Sequence, residues 1–390
     1  MEQDSAPRQP RLLTISALNF LSFLDTNLVL PVMALYAATL GVGLGAIGLI
    51  IGLYSLTNTP ANIFSGRLID RLGYRLPLVA GLVGGTLSMF SYAHVRLPVH
   101  LALVRLVHGF SGGLKSPAIM SAFAEKAGGT QRGRTMAFYG MSLAMANLVG
   151  FGLSGVIVSR LGYPFLFFFG AAMAAGGVLI ALSLPRAPRH HDAAARGSFR
   201  EEYGKVKSLL SRGVLLVSFT AIFAQYFAFG GVITLLPLWV KSLGMEAFHV
   251  GIVLAAFTVT FIALQFPSGM LSDRVGRLKM IYAGLALGTV SLVVLPMVTT
   301  FVMIALTMAL YGAAFGLLFP SVSALIADGT LPAERGTANG IFHALLTAGV
   351  AVGAPVVGGV GALVGIDIGL TLLPLALAAA LGFCFLVARK

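Results

Sequence analysis

Stretches of about 20 apolar residues recur along the whole chain. They lie near residues 12–36, 44–65, 76–94, 100–124, 135–158, 163–184, 214–240, 247–270, 279–299, 301–327, 337–361 and 367–388. A helix needs about 20 apolar residues to cross the ~30 Å of a bilayer's hydrocarbon. In lipid every backbone N–H and C=O must bond internally, so only helices and closed barrels span it. These runs are too long and too evenly apolar for barrel strands, which alternate. The pattern predicts an all-α integral membrane protein with twelve transmembrane helices. Charged residues make up 10% of the chain, against about 25% in soluble domains. The 48 glycines fit a bundle whose backbones approach closely.

The net charge of +13 would suit nucleic acid, but its distribution argues otherwise. The N-terminus, the C-terminus and the segments 67–75, 126–134, 186–212, 274–279 and 335 carry 21 of the 26 Lys and Arg residues. The alternate segments carry Arg96, Arg160 and Lys241, while Arg105 and Lys115 fall inside an apolar run. Such asymmetry is a topology signal and places both termini in the cytoplasm. The single cysteine, Cys384, excludes an internal disulfide. The opening "MEQDSAPRQPR" has no small-residue cleavage site, so the first helix is expected to stay uncleaved. His190 and His191, with only Asp192 beside them, read as solvated linker rather than a metal site. From Ser198 that linker has the pattern of a short amphipathic helix.

Shifted by 203 residues, the sequence matches itself. Ser65, Gly66, Leu68, Asp70, Arg71 and Gly73 fall on Ser268, Gly269, Leu271, Asp273, Arg274 and Gly276. Gly109, Gly113 and Pro117 fall on Gly312, Gly316 and Pro320, Glu125 on Asp328, and Arg132–Gly133 on Arg335–Gly336. The expected organisation is two six-helix halves in parallel repeat, 1–184 and 214–390, joined by a basic cytoplasmic linker, 185–213. Parallel repeats about an axis along the membrane normal build transporters with a site between the halves.

The segment Gly66-Arg67-Leu68-Ile69-Asp70-Arg71-Leu72-Gly73-Tyr74-Arg75 resembles the signature of the major facilitator superfamily, Gly-x-x-x-Asp-Arg-x-Gly-Arg-Arg/Lys. Tyr74 stands in place of one basic residue. The second copy, from Gly269 through Asp273, Arg274 and Gly276 to Arg277, departs only at Leu278. The resemblance covers essentially the whole chain and implies a secondary transporter working by alternating access. In the family this network resembles a gating latch, which implies that role for Gly66, Asp70, Arg71, Gly73, Arg75 and Glu125, and for Gly269, Asp273, Arg274, Gly276, Arg277 and Asp328. Read without the family, the arginines reach for Glu125 and Asp328, or they serve topology alone.

Inside the fourth run, Arg105, His108, Gly112 and Lys115 share one sector of a helix at 100° per residue. A charge at the centre of a membrane helix costs about 2.5–3.5 kcal/mol on insertion scales, so such charges usually mark function. Arg105-x-x-His108-Gly109 resembles the family's Arg-x-x-Gln-Gly motif, associated with proton-coupled members, with His108 replacing Gln. Asp25 is the one acid deep in a run, and its expected partner is Arg105 or Lys115. Asp25, Arg105 and His108 are therefore the candidates for proton coupling. Candidates for the substrate cavity are Asn19, Arg105, His108, Lys115, Asn147, Gln225, Tyr226 and His343. Structural roles compete at each: a permanent salt bridge at Asp25, packing at His108, snorkelling at Lys115. Drug:proton antiporters of the superfamily carry Gly-Pro-x-x-Gly-Gly in the fifth helix. Here that stretch is Gly150-Phe151-Gly152-Leu153-Ser154-Gly155, and a related Ala354-Pro355-Val356-Val357-Gly358-Gly359 falls in the eleventh.

The expected function is proton-coupled export of drugs or other amphipathic small molecules across the cell membrane, resembling the twelve-helix drug:proton antiporter branch. The alternative is transport of an anionic metabolite or lipid-like molecule, since one acid faces two bases. The expected partners are a small-molecule substrate, protons and membrane lipids, without nucleic acid, and a monomer suffices. The sequence offers no cofactor fingerprint, nucleophile motif or metal-ligand cluster, so no enzyme and no cofactor is expected. A sensor would need a soluble domain to signal through.

Overall fold

The computed structural model describes residues 12–126, 132–184, 199–331 and 334–387. The first part of the linker, with His190 and His191, lies outside the described residues. The described residues form α1 (Leu12–Val29), α2 (Met33–Thr39), α3 (Leu44–Leu72), α4 (Arg75–Tyr92), α5 (Pro98–Lys126), α6 (Arg132–Ser183), α7 (Phe199–Ser211), α8 (Gly213–Ser242), α9 (Ala247–Val275), α10 (Arg277–Val294), α11 (Phe301–Asp328), α12 (Arg335–Val364) and α13 (Ile366–Val387), with no strand among them. α7 occupies the second part of the linker, where the sequence predicts a helix.

Nine of the described helices are long and apolar enough to cross a membrane. One is α6, whose 52 residues would extend about 78 Å at 1.5 Å per residue as one continuous helix, more than twice the ~30 Å of hydrocarbon. It breaks at Gly162, where φ is 81°. α4 and α5 are not among the nine; α5 carries Arg105, His108 and Lys115, and α4 opens on Arg75.

Six glycines have positive φ among the described residues: Gly41, Gly73, Gly162, Gly244, Gly276 and Gly365. They form three pairs, each 203 residues apart, and no non-glycine residue shares that conformation. A side chain clashes with the backbone there, and glycine does not. The sequence repeat is therefore also a backbone repeat, with the same left-handed turn between the same helices. Side chains follow it: Thr57 donates to the Leu106 carbonyl at 2.9 Å and Thr260 to the Ala309 carbonyl at 2.7 Å.

Buried apolar side chains gather in separate clusters. One draws almost wholly on residues 209–384, with Leu35 and Phe151 reaching in from the first half. Two others draw on 15–184, one of them with Ile233 and Ala354 from the second. The halves meet along two backbone seams. A Cβ on Gly48 of α3 would lie 2.3 Å from the Ala354 carbonyl oxygen of α12, and one on Gly155 of α6 would lie 2.4 Å from the Ala247 carbonyl oxygen of α9. The glycine-rich stretches of the fifth and eleventh runs thus each supply one side of a seam. Residues 45–52 against 351–362 and 151–159 against 247–255 lie toward the end opposite the basic segments. Nearer the middle, the hydroxyls of Thr59 and Thr347 meet at 2.5 Å. Toward the basic end, Gly66, Gly140, Gly336 and Gly340 have nothing beyond their own stretch of helix within 4 Å of where a Cβ would stand.

Candidate functional site

Asp25 sits in the last turns of α1, four residues before its end at Val29, fully buried. Its Oδ2 accepts a hydrogen bond from Lys115 Nζ at 2.5 Å, and Lys115 is 2% exposed. His108 lies one face-repeat earlier on α5, with Nε2 3.5 Å from the same oxygen. Its Nδ1 is 3.2 Å from the Tyr92 hydroxyl on α4. Arg105, two turns before Gly112, takes another course. Its Nε and Nη2 donate to the carbonyls of Ile50 and Ile51 at 3.4 and 3.2 Å, and its guanidinium lies 4.9 Å over the Tyr54 ring. The sequence leaves Arg105 and Lys115 open as partners of Asp25; the structure pairs Lys115. Arg105 instead satisfies backbone oxygens of α3 and stacks on an aromatic face, which its planar guanidinium suits.

Space for the pair comes from α4. A Cβ on Gly85 would lie 2.7 Å from Asp25 Oδ2 and 3.3 Å from Lys115 Nζ. Asp25 Oδ1 accepts from the Thr26 backbone N–H at 2.6 Å and from its hydroxyl at 3.1 Å, and that hydroxyl is 3.1 Å from the Tyr54 hydroxyl. A buried carboxylate keeps its charge only when paired and hydrogen-bonded, and here both oxygens are engaged. Lys115 and His108 face the one acid, and Arg105 lies beyond Tyr54 in the same cluster, so the cluster carries an excess of positive charge.

The other cavity candidates are spread more widely. Asn19 is buried and donates to the Tyr139 carbonyl and to Ser142 at 3.0 and 2.7 Å, stitching α1 to α6. Asn147 accepts from Asn27 at 2.7 Å on the same interface. Gln225 is fully buried in α8, and neither its amide oxygen nor its nitrogen has a hydrogen-bond partner. A Cβ on Gly288 would lie 3.5 Å from that oxygen. Gly288 is the repeat equivalent of Gly85, so Gln225 fills in the second half the place that Asp25 fills in the first. Tyr226 is half-buried and packs on Phe315 and Phe229. His343 is exposed beside Phe342 on α12.

At the basic end, Arg277 pairs with Asp273 and donates from Nε to Asp328 Oδ2 at 3.2 Å and from Nη1 to Ser272 at 2.6 Å. Arg274 is exposed. In the first copy the equivalent of Arg277 is Tyr74, 5% exposed, whose hydroxyl hydrogen-bonds Glu125. Burial, then the Glu125 charge, pushes this phenol up to about 12. A phenol–carboxylate bond thus replaces the second half's Arg–Asp contact between the same helices. Arg75 donates to the Leu182 carbonyl. Gly66, Asp70 and Arg71 lie in the last turns of α3, and Gly73, like Gly276, ends its helix in the left-handed conformation. Gly269 lies 3.9 Å from Pro320 by its Cβ position.

Tyr54, Tyr92 and Gly85 are the members of the cluster that the sequence did not reveal, whereas Thr26 follows Asp25 directly in the polar positions of the first run. Tyr54 and Tyr92 lie in apolar runs with nothing in their spacing to single them out. Gly85 carried one signal, its repeat at Gly288.

The model of the family described as Major Facilitator Superfamily matches residues 15–251 and 219–390. An uncharacterized MFS-type transporter of Methanocaldococcus jannaschii is 24% identical over 342 residues, spanning 86% of this chain and 87% of its own. The quinolone resistance protein NorA of Staphylococcus aureus is 25% identical over 170 residues, 44% of each chain. Among solved structures, the nucleoside transporter NupG superposes with a TM-score of 0.82 at 18% identity, covering 97% of this chain and 98% of that one. A bacterial homolog of the human lysosomal transporter Spinster gives a TM-score of 0.77 at 15% identity, covering 97% and 96%. The repeated turns, the two seams and the family match over both halves agree: the chain belongs to the Major Facilitator Superfamily and is a multi-pass transporter of the cell membrane, not an enzyme.

Proposed function

We propose that this transporter exports an amphipathic small molecule and couples the movement to protons through Asp25. The observation that carries the reading is the Asp25–Lys115 pair at 2.5 Å, sealed from solvent, with His108 3.5 Å away. A carboxylate in this position has two alternative partners, the lysine ammonium and a proton. Protonation neutralises Asp25 and frees Lys115, so binding of a proton and rearrangement of the cluster are linked. One proton moved across 100 mV supplies about 2.3 kcal/mol, roughly fifty-fold accumulation when coupling is tight.

The chain crosses the membrane twelve times in this reading, with both termini cytoplasmic, and halves 1–184 and 214–390 rock against each other. The seams would then close the extracellular side, and the basic end would open to the cytoplasm. Arg277 and Tyr74, with Asp70 and Asp273 beside them, serve the gate that must form when the cytoplasmic side closes. Aromatic Tyr226 and Phe315 of the second half supply the apolar wall, and Asn19, Asn147, Gln225 and His343 its polar points. The 25% identity to a quinolone resistance protein over 44% of the chain supports a drug-like substrate.

A second reading rests on the cluster's excess charge. Arg105 and Lys115 against Asp25 favour an anionic or lipid-like amphiphile, which would draw Lys115 from Asp25 and so travel with the proton. A cation would compete with the proton for Asp25 and travel against it. Purified protein in liposomes, with pH gradient and voltage imposed separately, separates these readings. The panel is a quinolone, a nucleoside, a cationic dye and an anionic amphiphile. Flux of a panel member against its gradient when only pH differs supports coupling, and its direction selects the reading. Flux that follows the substrate gradient alone and ignores pH would overturn coupling.

A further inference from the structure

We infer that the hydroxyls of Tyr54 and Thr26 form the proton conduit between open space in the transporter and Asp25. This inference rests on the reading of Asp25 as the proton carrier. Asp25, Arg105, His108 and Lys115 are each at most 2% exposed, so water does not reach the carboxylate directly. Tyr54 and Thr26 both retain exposed surface. Their hydroxyls stand 3.1 Å apart, and the Thr26 hydroxyl stands 3.1 Å from Asp25 Oδ1. Oδ1 is the oxygen that Lys115 leaves free, since Lys115 and His108 both address Oδ2. A proton arriving by this route reaches the carboxylate without first displacing the lysine.

The transfer balances atom by atom. A water donates a proton to the Tyr54 oxygen as Tyr54 passes its own proton to the Thr26 oxygen. Thr26 passes its own to Asp25 Oδ1. Both hydroxyls end neutral, the water becomes hydroxide for bulk solvent to neutralise, and the acid is formed. Rotation of the two hydroxyls resets the chain.

The surroundings fix the geometry. A Cβ on Gly112 would lie 2.2 Å from the Tyr54 hydroxyl, so only glycine there admits the phenol. The Arg105 guanidinium lies 4.9 Å over the ring and disfavours a positive charge resting on the relay. The titratable groups facing Asp25 are Lys115 and His108 from α5 and, through Thr26, Tyr54 from α3; Tyr92 of α4 faces His108. Two residues before Tyr54, Gly52 packs on the Ala351 carbonyl and Pro355 of α12. Gly52 and Tyr54 point about 200° apart, so α3 presents one face to the seam and the other to the conduit.

Infrared difference spectroscopy on a pH jump, with the full-length protein in liposomes, tests this without a transported substrate. The protonated-carboxyl band that Asp25→Asn abolishes reports the proton's arrival. Tyr54→Phe keeps the ring on Arg105 and removes only the hydroxyl. The expected result is a band of unchanged amplitude that appears roughly 10²-fold more slowly, as for loss of a positioned proton-transfer group. Thr26→Val should slow it likewise, and Thr26→Ser should restore the wild-type rate. Thermal unfolding of each variant checks that the fold is kept. Wild-type rates in both Tyr54→Phe and Thr26→Val would overturn the conduit while leaving Asp25 as the carrier. No Asp25 band in the wild type over the pH range in which it stays folded would overturn both.

Discussion

Consider removing one or both members of the buried pair. At 2.5 Å two unit charges attract by about 7 kcal/mol at an effective dielectric constant near 20. Taking each ion out of water costs several kcal/mol, so the pair is worth little against a neutral isostere. Its rupture is another matter. Lys115→Met leaves the Asp25 charge buried with only Thr26 and a histidine 3.5 Å away, and should destabilise by about 3–5 kcal/mol. Asp25→Asn leaves Lys115 unpaired at 2% exposure and should cost a similar amount. The double variant has neither charge to strand and should lie within about 1–2 kcal/mol of wild type, a coupling energy of roughly 4 kcal/mol or more. Reversible unfolding in mixed micelles, followed by circular dichroism, gives all four stabilities. Single costs below about 1 kcal/mol that add in the double variant would refute the reasoning, because they would mean that the charges are solvated.

Gly85→Ala places a methyl 2.7 Å from Asp25 Oδ2, so it should part Asp25 from Lys115 and cut pH-driven transport severalfold while the protein still folds; transport and thermal stability measured together check this. Gly48→Val cannot keep the 2.3 Å approach to the Ala354 carbonyl and should open the seam; Ile47→Cys, buried at 2% in the parent, should then react with a maleimide added from the seam's side. Glu334 is held down to about 2, first by its hydrogen bonds from Arg212 and then by the Leu331 N–H. Stability from this contact is full above the ordinary glutamate value of 4.5 and is lost as pH falls toward about 2. Arg212→Gln should accordingly lower the melting temperature at neutral pH, with the gap to wild type closing over that acid window. A gap that persists at the lowest pH would contradict it.

Most of the architecture was legible because lipid leaves the backbone few options. Apolar length marked the helical runs, and the 203-residue offset paired Gly73 with Gly276, which the structure shows in the same left-handed turn. The turns at Gly41, Gly162, Gly244 and Gly365 obey the same offset, but no motif marks them and the sequence reading passed over them. Helical periodicity correctly put Arg105, His108 and Lys115 on one sector of α5. It could not choose between Arg105 and Lys115 for Asp25, because depth along α5 relative to α1 depends on how the helices stagger. That stagger is set by glycines such as Gly81 and Gly85, against which Lys115 lies. Tyr54 was invisible for a related reason: its hydroxyl gains meaning only from Thr26 on another helix. Tyr74 looked like a lost basic residue, and the structure shows it bonded to Glu125, so position outlasted charge.

Whether Asp25 carries the proton reduces to one comparison. Wild type and Asp25→Asn are reconstituted side by side, with a pH difference as the only driving force and a transported member of the panel on both sides at equal concentration. Wild type should concentrate the substrate, while the variant should exchange labelled for unlabelled substrate at a measurable rate and accumulate none. A variant that still builds a gradient from pH alone would contradict the account and pass the role to His108.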